Sequence, residues 1–148
     1  MGPILALKLF FTRGLNVTGR SRRSEYVWVT LFHTALLILV GFVAYTVGST
    51  GAVTEFIDLN LLGKGVISLY SIYWLVTLIP WVTLSIRRFH DLGQTGWLLL
   101  LFFGLGFIPL IGMLGAIVQF CWLFFRSGDA GTNIYGHDPR HEFRYVFD

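Results

Sequence analysis

The sequence predicts an all-α protein: a polytopic transmembrane helical bundle with four membrane segments, the last two a short hairpin, and both termini on the cytoplasmic side. Three observations predict it: the composition, three long charge-free runs, and the placement of the basic residues. Of 148 residues, 55% are hydrophobic and only 13% charged, and the mean hydropathy is +0.69. A soluble domain carries about 25% charged residues, and a chain this short cannot hide so much apolar surface in one core. The surplus therefore faces lipid. The same composition excludes disorder, and a lone cysteine, Cys121, excludes a disulfide scaffold.

Residues 1–148 read as a single integral membrane domain, opening with a cytoplasmic segment, 1–26. Val27–Val47 is 21 residues without Asp, Glu, Lys or Arg, long enough at about 1.5 Å per residue to cross roughly 30 Å of hydrocarbon. Residues 48–64 form an external loop. Gly65–Ile86 is a second charge-free run, of 22 residues, with Tyr70, Tyr73, Trp74 and Trp81 to pack or anchor at an interface. Residues 87–96 are a cytoplasmic turn, and 126–148 a cytoplasmic tail. Between them Trp97–Phe125 is 29 uncharged residues, long for one span and short for two, with Gly104, Gly106 and Pro109 near its middle. A tilted helix and a hairpin both fit that length. A turn at 106–109 must lie at the far interface or under other helices, because lipid offers its backbone no partner.

Charge favours the hairpin. Lys8, Arg13, Arg20, Arg22 and Arg23 precede the first run, Arg87 and Arg88 follow the second, and Arg126, Arg140 and Arg144 follow the third. Placing all of them inside leaves Lys64 as the only one of eleven basic residues outside, as the positive-inside rule requires. A cleaved signal peptide is not expected: its apolar region would be 21 residues, where signal peptides use about 7 to 15.

Within the spans, Pro80 removes the hydrogen bond to the Val76 carbonyl, and Thr77 is placed to serve the disturbed backbone. Ala44 with Gly48, and Gly112 with Ala116, permit close helix approach. His33 and Gln119 are the most polar intramembrane side chains. A proton or ion path needs more such groups, and His33 lies about two turns from the boundary, where one hydrogen bond satisfies it.

Three polar stretches emerge on the cytoplasmic face. In Thr18–Trp28, Ser21 is expected to cap the helix, Glu25 lies in its first turn, and Arg20, Arg22 and Arg23 face anionic lipid phosphates. In Ser85–Trp97, Arg87 and Arg88 end a helix beside His90 and Asp91, and Gly93 and Gly96 turn the chain back. In Arg126–Pro139, the glycines and Asn133 are expected to supply positive φ in an ordered loop. Glu25 is expected to pair with Arg87 or Arg88, and Asp91 with Arg20 or Arg23, tying the stretches into one polar plug.

These residues resemble the domain-of-unknown-function 805 family of small bacterial inner-membrane proteins. The resemblance rests on Gly19, Arg20, Arg23, Glu25, Tyr26 and Trp28; on Arg87, Arg88, His90, Asp91, Gly93, Gly96 and Trp97; and on Gly128, Gly131, Asn133, Tyr135, Gly136, Asp138 and Pro139. Phe89, Thr95, Leu98 and Val27 depart from the family pattern, as does His137 where the pattern has proline. The resemblance implies a polytopic membrane protein with a cytoplasmic motif cluster and brings no established activity.

Chemistry finds little footing. His90, Asp91, His137, Asp138, His141 and Glu142 have no diagnostic metal-ligand spacing, so no metal or other cofactor is expected. Cys121 lies in an apolar run, and no phosphate-binding loop is present. The leading expectation is a non-enzymatic membrane component or partner-binding subunit. Its partners are the bilayer, anionic headgroups, and a second copy or another membrane protein, but not nucleic acid, since topology explains the basic residues. Two alternatives stand beside it: a small oligomeric transporter or channel, with water around His33, Thr77 and Gln119, and a headgroup or phosphate enzyme with a pocket lined by Arg87, His90 and Asp91.

Overall fold

The computed structural model describes residues 1–48 and 61–140. Most of the expected external loop, with Glu55 and Asp58, and the end of the tail, with His141, Glu142 and Arg144, lie outside the described residues. Among the described residues the protein is all-helical: α1 Pro3–Thr12, α2 Arg23–Gly48, α3 Leu61–Asp91, α4 Leu98–Leu105 and α5 Ile111–Phe125. Two of these are long and apolar enough to cross a membrane, α2 with 26 residues and α3 with 31. Only 11% of the apolar window of α2 and 6% of that of α3 is buried, which separates them from the core helices of a soluble protein.

Residues 97–125 are two helices, not one tilted span. At about 1.5 Å per residue, α4 is about 12 Å long and α5 about 22 Å, both short of the roughly 30 Å of a hydrocarbon core. The connection turns at Gly106–Leu110, where Leu110 takes a positive φ of 61°. The two helices pack against each other. Gly112 permits it: a Cβ there would lie 2.7 Å from the Leu105 carbonyl oxygen and 2.8 Å from Gly106 Cα.

The chain forms two compact units, and α2 and α3 each contribute to both. The first comprises Met1–Val29 and Ile79–Asp148. Its core gathers Ala6, Phe10, Tyr26, Val29, Leu84, Phe89, Leu92 and Leu123. Trp81 stacks on Tyr26 with ring centroids 5.6 Å apart, and Phe89 stacks on Phe102 at 6.3 Å. Helix α1 had no counterpart in the sequence reading of 1–26. It starts at Pro3, where a missing N–H costs nothing, and buries Ala6 and Phe10, one turn apart, in the core. Gly14 then lies against the Pro80 ring, and Thr83 Oγ1 donates to the Gly14 carbonyl at 2.9 Å. The second unit is Thr30–Leu78. There the His33 and Tyr73 rings stack at 5.9 Å, with Tyr73 Oη 3.2 Å from His33 Nε2.

Several local expectations need correction. Helix α3 runs on through Asp91, so Arg87 and Arg88 end the helix as expected and only the turn at Gly93 breaks it, later than the boundary at residue 87 drawn from the charge-free run. Cations in the last turn suit the helix dipole, and their partners hold them there. Ser21 does not cap α2: its Oγ is buried without a hydrogen-bond partner. Arg22 supplies the first carbonyl, which accepts from Glu25 N and Tyr26 N. The Thr77 hydroxyl donates to the Tyr73 and Trp74 carbonyls instead of the region freed by Pro80.

Gly112→Val is expected to pry α4 from α5 at a cost of about 1–3 kcal/mol. Gly104→Ala, which adds a Cβ with nothing within 4 Å, should be neutral. Thermal unfolding of the purified variants in detergent compares the two.

Candidate functional site

Asp91 ends α3, and both its carboxylate oxygens carry a guanidinium. Arg20 Nε donates to Oδ1 at 3.0 Å, and Arg88 Nη1 donates to Oδ2. All three side chains are at most 5% exposed. One carboxylate between two arginines carries net positive charge, which the surrounding carbonyl dipoles disperse. Arg20 Nη1 donates to the Gly131 carbonyl and Nη2 to that of Asp129, each at 2.6 Å. Arg88 Nε donates to the Leu123 carbonyl at 3.0 Å and Nη2 to that of Arg126. Arg23 Nε adds the Phe124 carbonyl at 3.0 Å. The terminal carbonyls of α5, which have no partner within the helix, are thus capped by side chains from α2 and α3.

Beside this triad Arg87 Nη2 lies 3.5 Å from Glu25 Oε1, both buried, while the Arg87 carbonyl accepts from Ser21 N at 3.1 Å. Asp91 pairs with Arg20, and Glu25 with Arg87, each from the two choices the sequence left open. Arg88 turns to Asp91 within its own helix.

The tail folds onto this surface as a loop. Asp129 N donates to the Asp91 carbonyl at 2.8 Å. Gly128 lies so close to the Asp91 carboxylate that any Cβ would overlap it. Gly93, with a φ of 68°, turns the chain out of α3, and its Cβ position is taken by the Asp129 carboxylate. Asn133 does not adopt positive φ; Gly131 and Gly136 do. Asn133 works through its side chain, whose Nδ2 donates to the His90 carbonyl and whose Oδ1 accepts from Tyr135 N, both at 2.9 Å. That holds the Tyr135 ring flat on the His90 ring, centroids 3.9 Å apart and planes within 2°. His90 Nδ1 is 3.2 Å from the Gly19 carbonyl, which can only accept, so Nδ1 carries the proton. His137, standing where the family pattern has proline, reaches Thr132 Oγ1 at 3.2 Å.

Asp138 binds Gly131 N at 3.2 Å and Arg140 N at 2.9 Å. The Arg140 side chain, followed by these backbone N–H groups, holds the Asp138 carboxyl well below the usual carboxylate range, against the opposing effect of burial. Pro139 offers its carbonyl to Arg22 Nε.

Gly19, Arg20, Arg23, Glu25, Arg87, Arg88, His90, Asp91, Gly93 and the tail residues from Gly131 to Pro139 thus come together. Gly96 is set apart, against Ile86, and Trp97 is 74% exposed. Gln119 lies half-buried on α5, and His33 belongs to the other unit. Sequence reading named Gly128 only as a motif glycine and missed Asp129 and Arg140 as partners. Asp129 acts mainly through its main chain, which leaves no trace in residue type. Among the described residues no three His, Cys, Asp or Glu side chains converge on a metal position.

Two predictions follow from these contacts. Asp91→Asn leaves two buried guanidiniums without their carboxylate, and unfolding in detergent should show a loss of about 3–5 kcal/mol. Because folding lowers the Asp138 pKa, its contribution is full above the ordinary value of 3.8 and is lost as pH falls through the lower folded value. Protease protection of the tail should hold steady down to about pH 4 and decline progressively as the pH falls further toward the lower folded value, and Asp138→Asn should remove that acid dependence.

Residues 14–137 match the profile of a family described as "Protein of unknown function (DUF805)". The inner membrane protein YhaI of Escherichia coli K12 is 36% identical over 126 residues, covering 85% of this chain and 87% of the relative. The inner membrane protein YhaH of the same organism is 32% identical over 124 residues, covering 84% and 87%. No solved structure gives a significant match. With the motif residues assembled at one site and the match spanning most of the chain, the protein belongs to the DUF805 family.

Proposed function

We propose that this chain is a multi-pass inner-membrane protein acting as a non-enzymatic membrane component or partner-binding subunit. Its N- and C-terminal segments are cytoplasmic. It has four membrane segments: α2 and α3 cross, while α4 and α5 form a hairpin that enters from the cytoplasmic side. The exposed apolar surface of α2 and α3, and the charge-free runs at their centres, support this placement. So does the inner-membrane naming of the two relatives.

One observation carries the functional reading: the charged motif residues Arg20, Glu25, Arg87, Arg88 and Asp91 are buried in ion pairs that hold the fold. Arg87 and Arg88 are at most 1% exposed and Asp91 4%. A general acid or base must reach its substrate within hydrogen-bond distance, and side chains buried this deeply do not. Neither the cavity lined by Arg13, Arg20 and Tyr135 nor the one lined by Arg22, Arg23 and Arg140 includes Arg87 or His90, although Asp91 lines the second, which weighs against headgroup chemistry at a pocket of Arg87, His90 and Asp91. The plug instead presents a fixed cytoplasmic surface from which Ile134, 87% exposed, projects. A lipid surface or membrane-protein partner would meet it there.

Glu25→Arg or Arg87→Glu alone should sharply lower the yield of folded protein, and the two together should restore much of it, read by size-exclusion of detergent extracts. No restoration would remove the structural role of the pair. Topology is tested by single cysteines at Thr54, Gln94 and Thr132 in a Cys121→Ala background. Thr54 should label from outside intact cells, and Gln94 and Thr132 only from inside. Labelling of Thr132 from outside would overturn the hairpin.

A further inference from the structure

The α4–α5 hairpin is capped at one end and bare at the other. At the Phe125 end, Arg88 and Arg23 take the Leu123 and Phe124 carbonyls. Around the tip, residues 98–118 form a run of 21 without a side-chain nitrogen or oxygen, so no side chain of the hairpin can cap the backbone of its own turn. Gly106 N, Phe107 N and Ile108 N donate back to the Phe102, Gly104 and Leu105 carbonyls at 3.1, 3.2 and 3.0 Å, and Gly112 N donates to the Ile108 carbonyl at 2.7 Å. Among the described residues, no hydrogen bond reaches Leu110 N or the carbonyls of Gly106 and Phe107. The chain does not shield them, since Phe107 is 76% and Leu110 67% exposed.

Depth makes these groups costly. Helix α5 carries the turn at most about 22 Å from Phe125, short of the roughly 30 Å of a hydrocarbon core. Backbone at that depth must be covered by protein or line a water-filled cavity. A wet cavity needs polar partners for its water, and Phe107, Ile108, Pro109, Leu110 and Ile111 bring no polar side chain to one. Protein is the remaining cover.

We propose that the cover is the hairpin tip of a second copy of this chain. The tip is self-complementary: within five residues it holds one donor, Leu110 N–H, and two acceptors, the Gly106 and Phe107 carbonyls. A two-fold contact sets the same patch on both sides, so the donor of each copy meets an acceptor of the other. Copies that enter the bilayer in one direction have their two-fold axis along the membrane normal, and the two tips then lie at one depth. An unrelated membrane protein would have to bring a polar group of its own to that depth, which is expensive; a second copy brings it already. Phe103 and Phe107, edge to face at 5.4 Å and both exposed, supply apolar surface for the contact to bury. The depth of the tip rests on the topology proposed above; the unsatisfied backbone does not.

Single cysteines at Phe107 and Ile38 in the full-length Cys121→Ala protein, treated in native membranes with a short bis-maleimide, test the contact. The two sites are 76% and 67% exposed, so neither substitution disturbs packing. Phe107→Cys should give a dimer band about tenfold stronger than Ile38→Cys, because a fixed interface holds its two thiols at high effective concentration. Equal bands, no band at Phe107, or a band joining Phe107 to a protein of another mass overturns the proposal. Wild-type protein gives a readout that needs no variant to fold. Sedimentation in mild detergent should report a protein mass of two chains, twice 16.8 kDa, and deuterium uptake over residues 106–112 should rise several-fold when dilution separates the copies. A monomer at every concentration, or uptake at the tip that ignores dilution, overturns it. An impermeant maleimide applied to intact cells separates this contact from the topology. With a cysteine at Thr132 labelled only from inside, labelling of Phe107→Cys from outside puts the tip among the far headgroups and overturns the contact alone. Thr132 labelled from outside removes the topology, and with it the depth on which the contact depends.

Discussion

The carboxylate of Asp91 is the point on which the first unit depends. It sits at the last residue of α3, between one guanidinium from the same helix and one from the segment leading into α2. Burying three charges is costly, and such a group contributes little net stability over an apolar replacement. What it supplies is exclusivity. No slipped register of α2 against α3 places Arg20 on Oδ1 while Arg88 holds Oδ2. In a protein whose lipid-facing surfaces are uniformly apolar, side-chain packing alone discriminates weakly between registers, and polar contacts at the helix ends settle them.

The same network solves a second problem. Helix α5 ends in Leu123, Phe124 and Phe125, whose carbonyls lack intrahelical partners and whose side chains belong in lipid or core. Water near the boundary would satisfy them at the expense of the packing. Arg88 and Arg23 satisfy the Leu123 and Phe124 carbonyls instead, and Arg88 also takes the Arg126 carbonyl. Gly128 then admits the Asp91 carboxylate directly beneath the tail. A short hairpin too small to span the bilayer is thereby fixed from one end.

How much of this the sequence disclosed follows from the physics of each part. The two long helices were legible because charge-free runs of 21 and 22 residues have few other stable homes. The pairing partners of Asp91 and Glu25 were legible because opposite charges flanked those runs on one side. The short helices were less so. In α1, Lys8 interrupts an apolar stretch too brief for a span, and only the burial of Ala6 and Phe10 explains its helix. Main-chain partners were invisible: nothing in the identity of Leu123, Phe124 or Gly131 marks its carbonyl as an arginine acceptor. Ser21 misled, since a serine just before an apolar run ordinarily caps a helix. Here its backbone N–H is committed to the Arg87 carbonyl and its hydroxyl turns inward.

The split among the arginines gives the functional argument its direction. If all the motif residues served one chemical purpose, their guanidiniums would converge on one accessible point. Instead Arg20 and Arg88 converge on Asp91 and on carbonyls, Arg87 turns to Glu25, and Arg140 pairs with Asp138. The buried arginines cannot take a ligand without giving up the fold, because each contact they surrendered would expose a buried charge. A membrane protein built this way uses buried charge to hold its helix ends, and the Asp91 carboxylate, shared by Arg20 and Arg88, is where those ends meet.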